Sequence, residues 1–312
     1  MRILFLGKTF PESRKALRAH LPHDEIADCP ADRILASAGR ADVLVPTMCR
    51  VDAAVMDVVR PRLVHQFGVG LEGVDLPAAA QRGIPVANVP ADVSGNAAAT
   101  GELALLLLLA LARRLDGARA AVLSRGLGEP LGETLAGSTA VVLGVGAVGR
   151  EAAARLRALG MRVVGVGRRP LADVPPAPLD GYRVVGDLRT ALGEAAALVV
   201  SCPLTPETRG LVGAAELAAM PCGAFVVNVS RGAVVDRDAL LAALSSGRLG
   251  GAGLDVFWEE PIDPADPILR KNVIATAHVG GVTRASYEAI ARALADNVER
   301  LRRGEPLRNR AV

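Results

Sequence analysis

The sequence predicts an α/β fold built from two similar domains of parallel strands and helices. Short apolar runs alternate with helical patterns along almost the whole chain, which is typical of repeated β–α units. A length of 312 residues is too great for one small core and fits two domains of ordinary size. A glycine-rich turn in the middle of the chain, with a strand before it and a helix after it, marks the start of a second set of units.

The first third of the chain contains the elements of the first domain. Apolar runs at 2–6, 42–45, 63–66 and 85–87 predict strands. Helical patterns at 13–21, 52–60 and 76–82 lie between them. The first run is too short for a signal peptide, so we interpret it as a strand.

A long helix is predicted at 97–120, followed by a loop at 123–136. Its segment 103–112 is wholly apolar, but ten residues span only about half of a ~30 Å hydrocarbon layer, so we expect a buried helix and no membrane contact. A helix that is apolar around its circumference must be covered on all sides. Since one domain layer covers only one face, we expect a homodimer.

The second set of units begins with the strand Thr139–Leu143. A helix at 150–159, a strand at 162–166 and further β–α units up to about residue 277 follow, and 283–303 predicts a final helix. The proline-rich stretch 170–178 lies between two strand signals, so we interpret it as a loop and not as a domain linker.

Composition excludes several classes of protein. Apolar residues make up 51% and charged residues 22%, which is typical of a globular chain. A net charge of +3 with scattered Lys and Arg residues predicts no nucleic-acid surface. The four cysteines form no CxxC pair and no ligand cluster with the four histidines. We therefore expect reduced thiols, no metal site and a cytoplasmic location.

The glycine-rich turn reads Gly144-Val145-Gly146-Ala147-Val148-Gly149. In a dinucleotide-binding fingerprint, the first glycine permits the tight turn, the second lets the backbone approach a pyrophosphate, and the third lets helix and strand pack closely. A bare GxGxxG also occurs in purely structural turns, but here a strand precedes it and a helix and second strand follow. This context favours a cofactor site.

The end of the second strand bears on the choice of cofactor. An acidic residue there would hold the ribose 2′-hydroxyl of NAD, whereas this chain has Gly167-Arg168-Arg169-Pro170. Two guanidinium groups can hold a 2′-phosphate, which a carboxylate would repel. We expect NADP as the preferred cofactor and NAD as the weaker one. The alternative is that Arg168 and Arg169 are solvated surface residues.

Three later segments end or follow apolar runs, which places them at the carboxyl edge of a parallel sheet, where ligands bind in such folds. They read Val227-Asn228-Val229-Ser230-Arg231-Gly232, Gly253-Leu254-Asp255-Val256-Phe257-Trp258-Glu259-Glu260-Pro261 and Thr276-Ala277-His278-Val279-Gly280-Gly281. With the glycine turn, Phe67-Gly68-Val69-Gly70 and Cys202-Pro203-Leu204-Thr205-Pro206-Glu207-Thr208, they closely resemble the D-isomer-specific 2-hydroxyacid dehydrogenase family. The resemblance covers essentially the whole chain.

This resemblance implies two Rossmann-like, doubly wound parallel-sheet domains, with the cofactor domain (97–284) inserted into the substrate domain (1–96 and 285–312). It implies that Arg231 holds the substrate carboxylate and carbonyl, that His278 is the general acid/base, and that Glu260 bonds the other imidazole nitrogen. Glu259 is adjacent, and only the family spacing selects Glu260. Substrate contacts are implied for Val69 and Gly70, and Arg50 lies in a loop that contacts the substrate in relatives, although a surface role for Arg50 is the simpler interpretation.

The cofactor contacts that the resemblance and the fingerprint together imply form a larger set. They are Thr100, Gly144, Gly146, Ala147, Val148, Gly149, Arg168, Arg169, Cys202, Pro203, Thr208, Val229, Ser230, Asp255, Gly280 and Gly281. Two departures from relatives, Ala97-Ala98-Ala99 before Thr100 and the absence of a tryptophan at 124–128, argue against copying substrate specificity from any one relative.

Elementary chemistry supports the implied catalytic roles. Hydride addition to a ketone leaves negative charge on oxygen, so a general acid is needed, and a histidine beside a carboxylate is favoured in its protonated form. Arginine offers a charged planar fork that suits a carboxylate. Because no extra phosphate-binding cluster is evident, we expect glyoxylate or hydroxypyruvate as the substrate. A nucleotide-sensing regulator on the same scaffold, or an enzyme that oxidises an inorganic anion such as phosphite, is the alternative.

Overall fold

The computed structural model describes residues 1–7, 10–173 and 177–312 and divides the chain into two compact units. The first unit comprises residues 1–95 and 283–312, and the second comprises residues 96–282. The sequence predicted the two boundaries between these units after residues 96 and 284.

Strands and helices alternate along the described residues. The strands are β1 (Arg2–Leu6), β2 (Glu25–Cys29), β3 (Val43–Pro46), β4 (Leu63–His65), β5 (Val86–Ala87), β6 (Thr139–Leu143), β7 (Arg162–Gly167), β8 (Gly181–Val184), β9 (Ala195–Val200), β10 (Ala224–Asn228), β11 (Leu249–Leu254) and β12 (Val273–Ala275). The α-helices are α1 (Pro11–His20), α2 (Ile34–Ser37), α3 (Ala53–Val59), α4 (Leu76–Gln81), α5 (Asn96–Ala112), α6 (Leu115–Leu123), α7 (Ala147–Ala158), α8 (Leu188–Leu192), α9 (Ala214–Ala219), α10 (Arg237–Ser245) and α11 (Arg284–Arg303).

The first unit is a five-stranded parallel sheet in the order β2-β1-β3-β4-β5. Side chains of β1 alternate between its faces: Ile3 and Phe5 pack with α1 and α11, and Leu4 and Leu6 pack with α2, α3 and α4. Sequence reasoning missed β2. This strand lies at the sheet edge, where half-exposed positions let Glu25 and Asp28 interrupt the apolar run that marks a central strand.

The second unit is a seven-stranded parallel sheet in the order β12-β11-β10-β9-β6-β7-β8. Both faces are covered, because α8, α9 and α10 pack on one side and α5 and α7 on the other. The order of strands reverses between β6 and β9. In open α/β sheets, ligands bind outside the carboxyl ends of the strands at such a reversal. The predicted α/β class with two doubly wound parallel sheets is confirmed.

The predicted single helix at 97–120 is wrong. The structure has two helices, α5 and α6, which are separated at Arg113 and Arg114, and Arg114 adopts the left-handed conformation with φ 48°. The apolar stretch ends at Ala112, so nothing holds the following polar residues against the sheet as a continuation of α5. Leu107, Leu108 and Leu111 are buried, whereas Leu106 is exposed and α6 has no buried residue.

The loop predicted at 170–178 falls partly outside the described residues, which exclude 174–176. Within it, Leu171–Asp173 forms a short 3₁₀ helix before β8. In the parts of the chain that the structure describes, no helix is both long enough and apolar enough to cross a membrane.

Candidate active site

Three neighbouring strands bring the predicted catalytic residues to one edge of the second sheet. Arg231 follows β10, Glu260 follows β11 and His278 follows β12. Because β10, β11 and β12 are adjacent and parallel, their carboxyl ends lie side by side. The topology therefore gathers residues that are separated by up to 47 positions in the sequence.

His278 and Glu260 form a hydrogen-bonded pair. The imidazole Nδ1 lies 2.7 Å from Glu260 Oε2, and the other carboxylate oxygen accepts a 2.9 Å bond from the Phe257 N–H. Burial acts to raise the pKa of Glu260, but the bond to His278, its charge and that of Arg231 outweigh burial and lower this pKa. An ionised Glu260 accepts this bond, so Nδ1 carries the proton and Nε2 is the ring nitrogen that Glu260 does not use.

The backbone at His278 is held in an unusual conformation. His278 has φ 54°, in the left-handed region that costs energy for a residue with a Cβ. Asp255, which is buried, accepts hydrogen bonds from Thr276 Oγ1 (2.7 Å), Val279 N (2.8 Å) and Gly280 N (2.8 Å). Burial raises the pKa of Asp255, against the effect of these three bonds. Asp255 thus fixes the turn that carries His278.

The turn that carries Arg231 has its own internal support. Buried Asn228 donates to Arg231 O (2.9 Å) and accepts from Ser230 N and Ser230 Oγ, both at 3.1 Å. A Cβ at Gly232 would overlap the backbone of Phe257, so only glycine lets this turn pack against the segment that leads to Glu260. Sequence reasoning did not single out Asn228, Gly232 or Thr276. A polar residue at the end of a buried strand was the available signal for Asn228.

The glycine-rich turn has the shape that a pyrophosphate site requires. Gly144 has φ 99° and would place a Cβ 2.5 Å from Cys202 N, and a Cβ at Gly149 would overlap Gly144 O. The helix α7 begins at Ala147, earlier than the predicted 150, and no side chain caps its N-terminus at Gly146. Its first N–H groups are therefore available to an anion, and a dinucleotide fits these residues.

The segment that follows β7 lies beside the glycine-rich turn, because β7 is paired with β6. Arg168 and Arg169 are exposed, and the segment 167–171 contains no carboxylate. Burial raises the pKa of the Cys202 thiol to about 11, against the opposing charge of Arg168. Cys202 therefore stays a protonated thiol and is unsuited to nucleophilic chemistry. Thr208 bonds Pro203 O (2.7 Å) and Thr205 N (2.7 Å), which fixes the loop after β9.

The remaining predicted cofactor residues of this unit are close to the same edge. Thr100 on α5 bonds Asn96 Oδ1 (3.2 Å) and lies within 3.2 Å of where a Cβ of Gly280 would be. A Cβ at Gly281 would overlap the Asn96 side chain, so both glycines permit close packing on α5. Val229, buried directly after β10, donates to Val200 O at 3.2 Å.

The predicted substrate residues belong to the first unit. Arg50 follows β3 and is exposed, and Val69 and Gly70 follow β4, so both loops leave the carboxyl edge of adjacent strands. Asn88 donates to Val69 O (2.7 Å) and Val89 N donates to Gly68 O (2.8 Å), which fixes the turn. Among the described residues, no group of His, Cys, Asp and Glu side chains could hold a metal ion.

Comparisons with known proteins show which family the chain is similar to. The family model for the D-isomer specific 2-hydroxyacid dehydrogenase NAD binding domain matches residues 105–280. A glyoxylate reductase of Thermococcus gammatolerans is 35% identical over 97% of this chain and 93% of its own length. A D-3-phosphoglycerate dehydrogenase of Archaeoglobus fulgidus is 36% identical over 86% of this chain, which spans only 50% of that relative.

A solved structure agrees with the sequence relatives. The TT0316 protein from Thermus thermophilus superposes with a TM-score of 0.86 and 35% identity, and the match covers 100% of both chains. The residues around the glycine turn fit a nicotinamide dinucleotide, and the family model that matches them is that of an NAD-binding domain. The chain therefore belongs to the D-isomer specific 2-hydroxyacid dehydrogenase family.

Proposed function

We propose that the protein reduces a small 2-oxo acid, of the glyoxylate or hydroxypyruvate type, to the D-2-hydroxy acid. The observation that carries the proposal is the His278–Glu260 pair, which lies on the same sheet edge as Arg231 and the glycine-rich turn. The glyoxylate reductase of T. gammatolerans, related over nearly the whole chain, supports a substrate of this size. The chain is thus proposed to be an oxidoreductase that acts in the cytoplasm.

His278 is the proposed general acid. With Nδ1 bonded to Glu260, its Nε2 carries the proton that is given to the carbonyl oxygen as that oxygen becomes an alkoxide. The ionised Glu260 stabilises the imidazolium before the transfer and keeps the ring in one orientation. In the reverse direction the neutral imidazole accepts the hydroxyl proton.

Arg231 is the proposed anchor for the substrate carboxylate and the reacting carbonyl. Its planar, permanently charged fork suits a carboxylate, and the Asn228 bond to its backbone fixes the start of the side chain. Val69 and Gly70 are proposed to add backbone N–H groups, and Arg50 to contact the substituent of the oxo acid. The first unit is then the substrate domain, and the second the cofactor domain.

The proposed cofactor is NADPH, with NADH as the weaker alternative. When bound, the reduced nicotinamide supplies the hydride. The residues proposed to hold the pyrophosphate are those of the turn 144–149, which presents glycine backbone and an uncapped helix N-terminus. Arg168 and Arg169 are proposed to bind the 2′-phosphate, because no carboxylate occupies the segment 167–171.

A substrate panel tests this function directly. Glyoxylate, hydroxypyruvate, pyruvate and longer 2-oxo acids are offered with NADPH and with NADH, and nicotinamide absorbance is followed. We expect the highest kcat/KM with glyoxylate or hydroxypyruvate. We expect kcat/KM to be about tenfold or more higher with NADPH than with NADH, because arginine bonds to the 2′-phosphate that together contribute ~1.4 kcal/mol correspond to tenfold. Oxidation of phosphite without reduction of any 2-oxo acid would overturn the proposed reaction, and equal kcat/KM for the two cofactors would overturn only the cofactor preference.

We also propose that the protein is a homodimer that buries the surface formed by α5, α6 and the loop after them. Large apolar side chains are exposed along this surface, and they include Leu106, Val122, Leu123, Leu127 and Leu131. Leu127 is 98% exposed and Leu131 is 88% exposed. Several exposed large apolar side chains on consecutive segments favour an association surface, and a second copy of the chain is the occupant we propose.

A further inference from the structure

Tyr182 lies beside the segment that is proposed to select the cofactor. It is on β8, and the parallel register pairs it with Gly165 of β7. Its phenol oxygen donates a 2.7 Å hydrogen bond to the carbonyl of Arg169. A Cβ at Gly167 would overlap the same oxygen, so the Tyr182 side chain lies directly against the end of β7. Tyr182 is half-buried, and burial raises the pKa of its phenol, which therefore remains a donor at neutral pH.

Arg168 and Arg169 differ in their surroundings. The charge of Arg168 acts on Cys202 and on Glu207, both of which belong to the loop after β9 that packs against the glycine turn. Arg169 lies on the Tyr182 side, where its carbonyl accepts the phenol hydrogen bond. The charge of Arg168 therefore acts on the loop beside the cofactor turn, and the backbone of Arg169 is bonded to Tyr182 of β8.

We infer that Tyr182 is a positioning residue for cofactor selection: its hydroxyl fixes the backbone of residues 167–169 and so directs Arg168 to the 2′-phosphate. Ordering a mobile loop backbone when a ligand binds costs conformational entropy, and a backbone that is already fixed avoids that part of the cost. Tyr182 itself does not need to touch the phosphate. The inference rests on the NADPH preference proposed above.

Binding of two nucleotide fragments to the full-length protein tests this role without turnover. Adenosine 2′,5′-bisphosphate carries the 2′-phosphate, and AMP lacks it, so calorimetric Kd values for the two separate 2′-phosphate recognition from general adenosine binding. The variant Tyr182→Phe removes only the hydroxyl. Tyr287→Phe removes the other tyrosine hydroxyl of the chain, on α11 in the first unit, and serves as the matched control.

We expect Tyr182→Phe to weaken the bisphosphate by about three- to tenfold, which is the range for one lost hydrogen bond, and to leave the Kd of AMP unchanged. Tyr287→Phe should alter neither Kd. In a double-mutant cycle, Tyr182→Phe should have no further effect once Arg168→Ala is present, because its effect passes through Arg168. This readout separates positioning from a purely structural role.

Three outcomes would overturn the inference, and they are distinguishable. An unchanged bisphosphate Kd in Tyr182→Phe would show that the hydroxyl does not position Arg168 while the NADPH preference stands. Equal weakening of both fragments would assign Tyr182 to general folding of the site. Equal affinity of the unmodified protein for both fragments would remove the NADPH preference itself, and the inference with it.

Discussion

Single residues divide into those that are proposed to do chemistry and those that hold them. His278, Glu260 and Arg231 belong to the first group, and their types were readable from the motifs. Asp255 and Asn228 illustrate the second group, since each is buried and uses its side chain to fix the turn that carries a proposed catalytic residue. The chemistry therefore depends on backbone conformations that side chains impose.

The first prediction concerns His278 and Arg231. His278→Ala and Arg231→Ala should each lower kcat, in the case of His278 by ~10²–10⁴-fold, the usual loss for a general acid. Nucleotide binding measured by calorimetry should persist in both. His278→Asn is the second variant, because asparagine tolerates the left-handed conformation and so preserves the turn. Near-normal turnover in all three variants would refute the mechanism.

Glu260 provides a prediction about pH. The attraction that lowers the pKa of Glu260 also favours the imidazolium of its partner, so Glu260→Gln removes that support. In the reduction direction, the alkaline fall of kcat/KM should move to lower pH in Glu260→Gln. Glu259→Gln, which changes the exposed neighbour, is the control and should leave the profile in place. An identical shift in both variants, or none in either, would exclude the assigned role.

At the scale of secondary-structure elements, strand ends place the proposed catalytic residues, and N-cap side chains set where helices begin. Asp75 and Asp236 are N-caps of α4 and α10, and their side chains accept bonds from Ala78 N and Ala239 N. Such caps stabilise a helix by about 1 kcal/mol and set where it begins. Such a carboxylate therefore stabilises the fold without any need to touch a ligand.

A buried histidine connects β4 with α11 in the first unit. His65 is fully buried; its Nδ1 donates to Gln66 O (3.0 Å), and its Nε2 accepts from Asn297 Nδ2 (3.0 Å). The Asn297 side chain also bonds the backbone of Arg308: its Nδ2 donates to Arg308 O, and its Oδ1 accepts from Arg308 N. Because Nε2 must accept here, the imidazole is neutral, and burial lowers the pKa of His65 to about 4.

This pair predicts a pH dependence of stability. The unfolded chain binds a proton on this histidine near pH 6.5, whereas the folded chain binds it only near pH 4, so stability is lost as the pH falls between these values. The loss amounts to about 3 kcal/mol when complete. Relative to His65→Gln, the unmodified protein should therefore lose urea resistance between pH 6.5 and 4. His23→Gln, at an exposed position, is the control. The same pH dependence of urea resistance in all three proteins would contradict this account.

At the scale of the whole molecule, the apolar surface of α5, α6 and the following loop gives the oligomer prediction. Light scattering at micromolar concentration should give twice the chain mass. Leu123→Glu combined with Leu127→Glu should shift the protein toward a monomer, because charges replace exposed apolar area that the partner would cover. Leu35→Glu changes an exposed leucine elsewhere and should leave the mass unchanged. A monomeric unmodified protein would reject the dimer.

The sequence by itself determined the α/β class, most central strands and the residue types gathered at the carboxyl edge. These features are local, because buried strands need apolar runs and turns need glycine, and both are visible as patterns. Family spacing chose Glu260 over Glu259, and the structure places Glu260 within 2.7 Å of His278.

Tertiary structure alone decided what depends on neighbours distant in sequence. Four features carry no periodic signal in the sequence. They are the edge strand β2, the break of the long helix at Arg114, the Asp255 bonds to the His278 turn and the Tyr182 bond to Arg169. The Asp255 and Tyr182 bonds arise where neighbouring strands bring separate segments together, and there a polar side chain gains a partner whose identity no local pattern records. Burial then makes the Asp255 bonds strong, because an unpaired polar group in the interior costs about 1–3 kcal/mol.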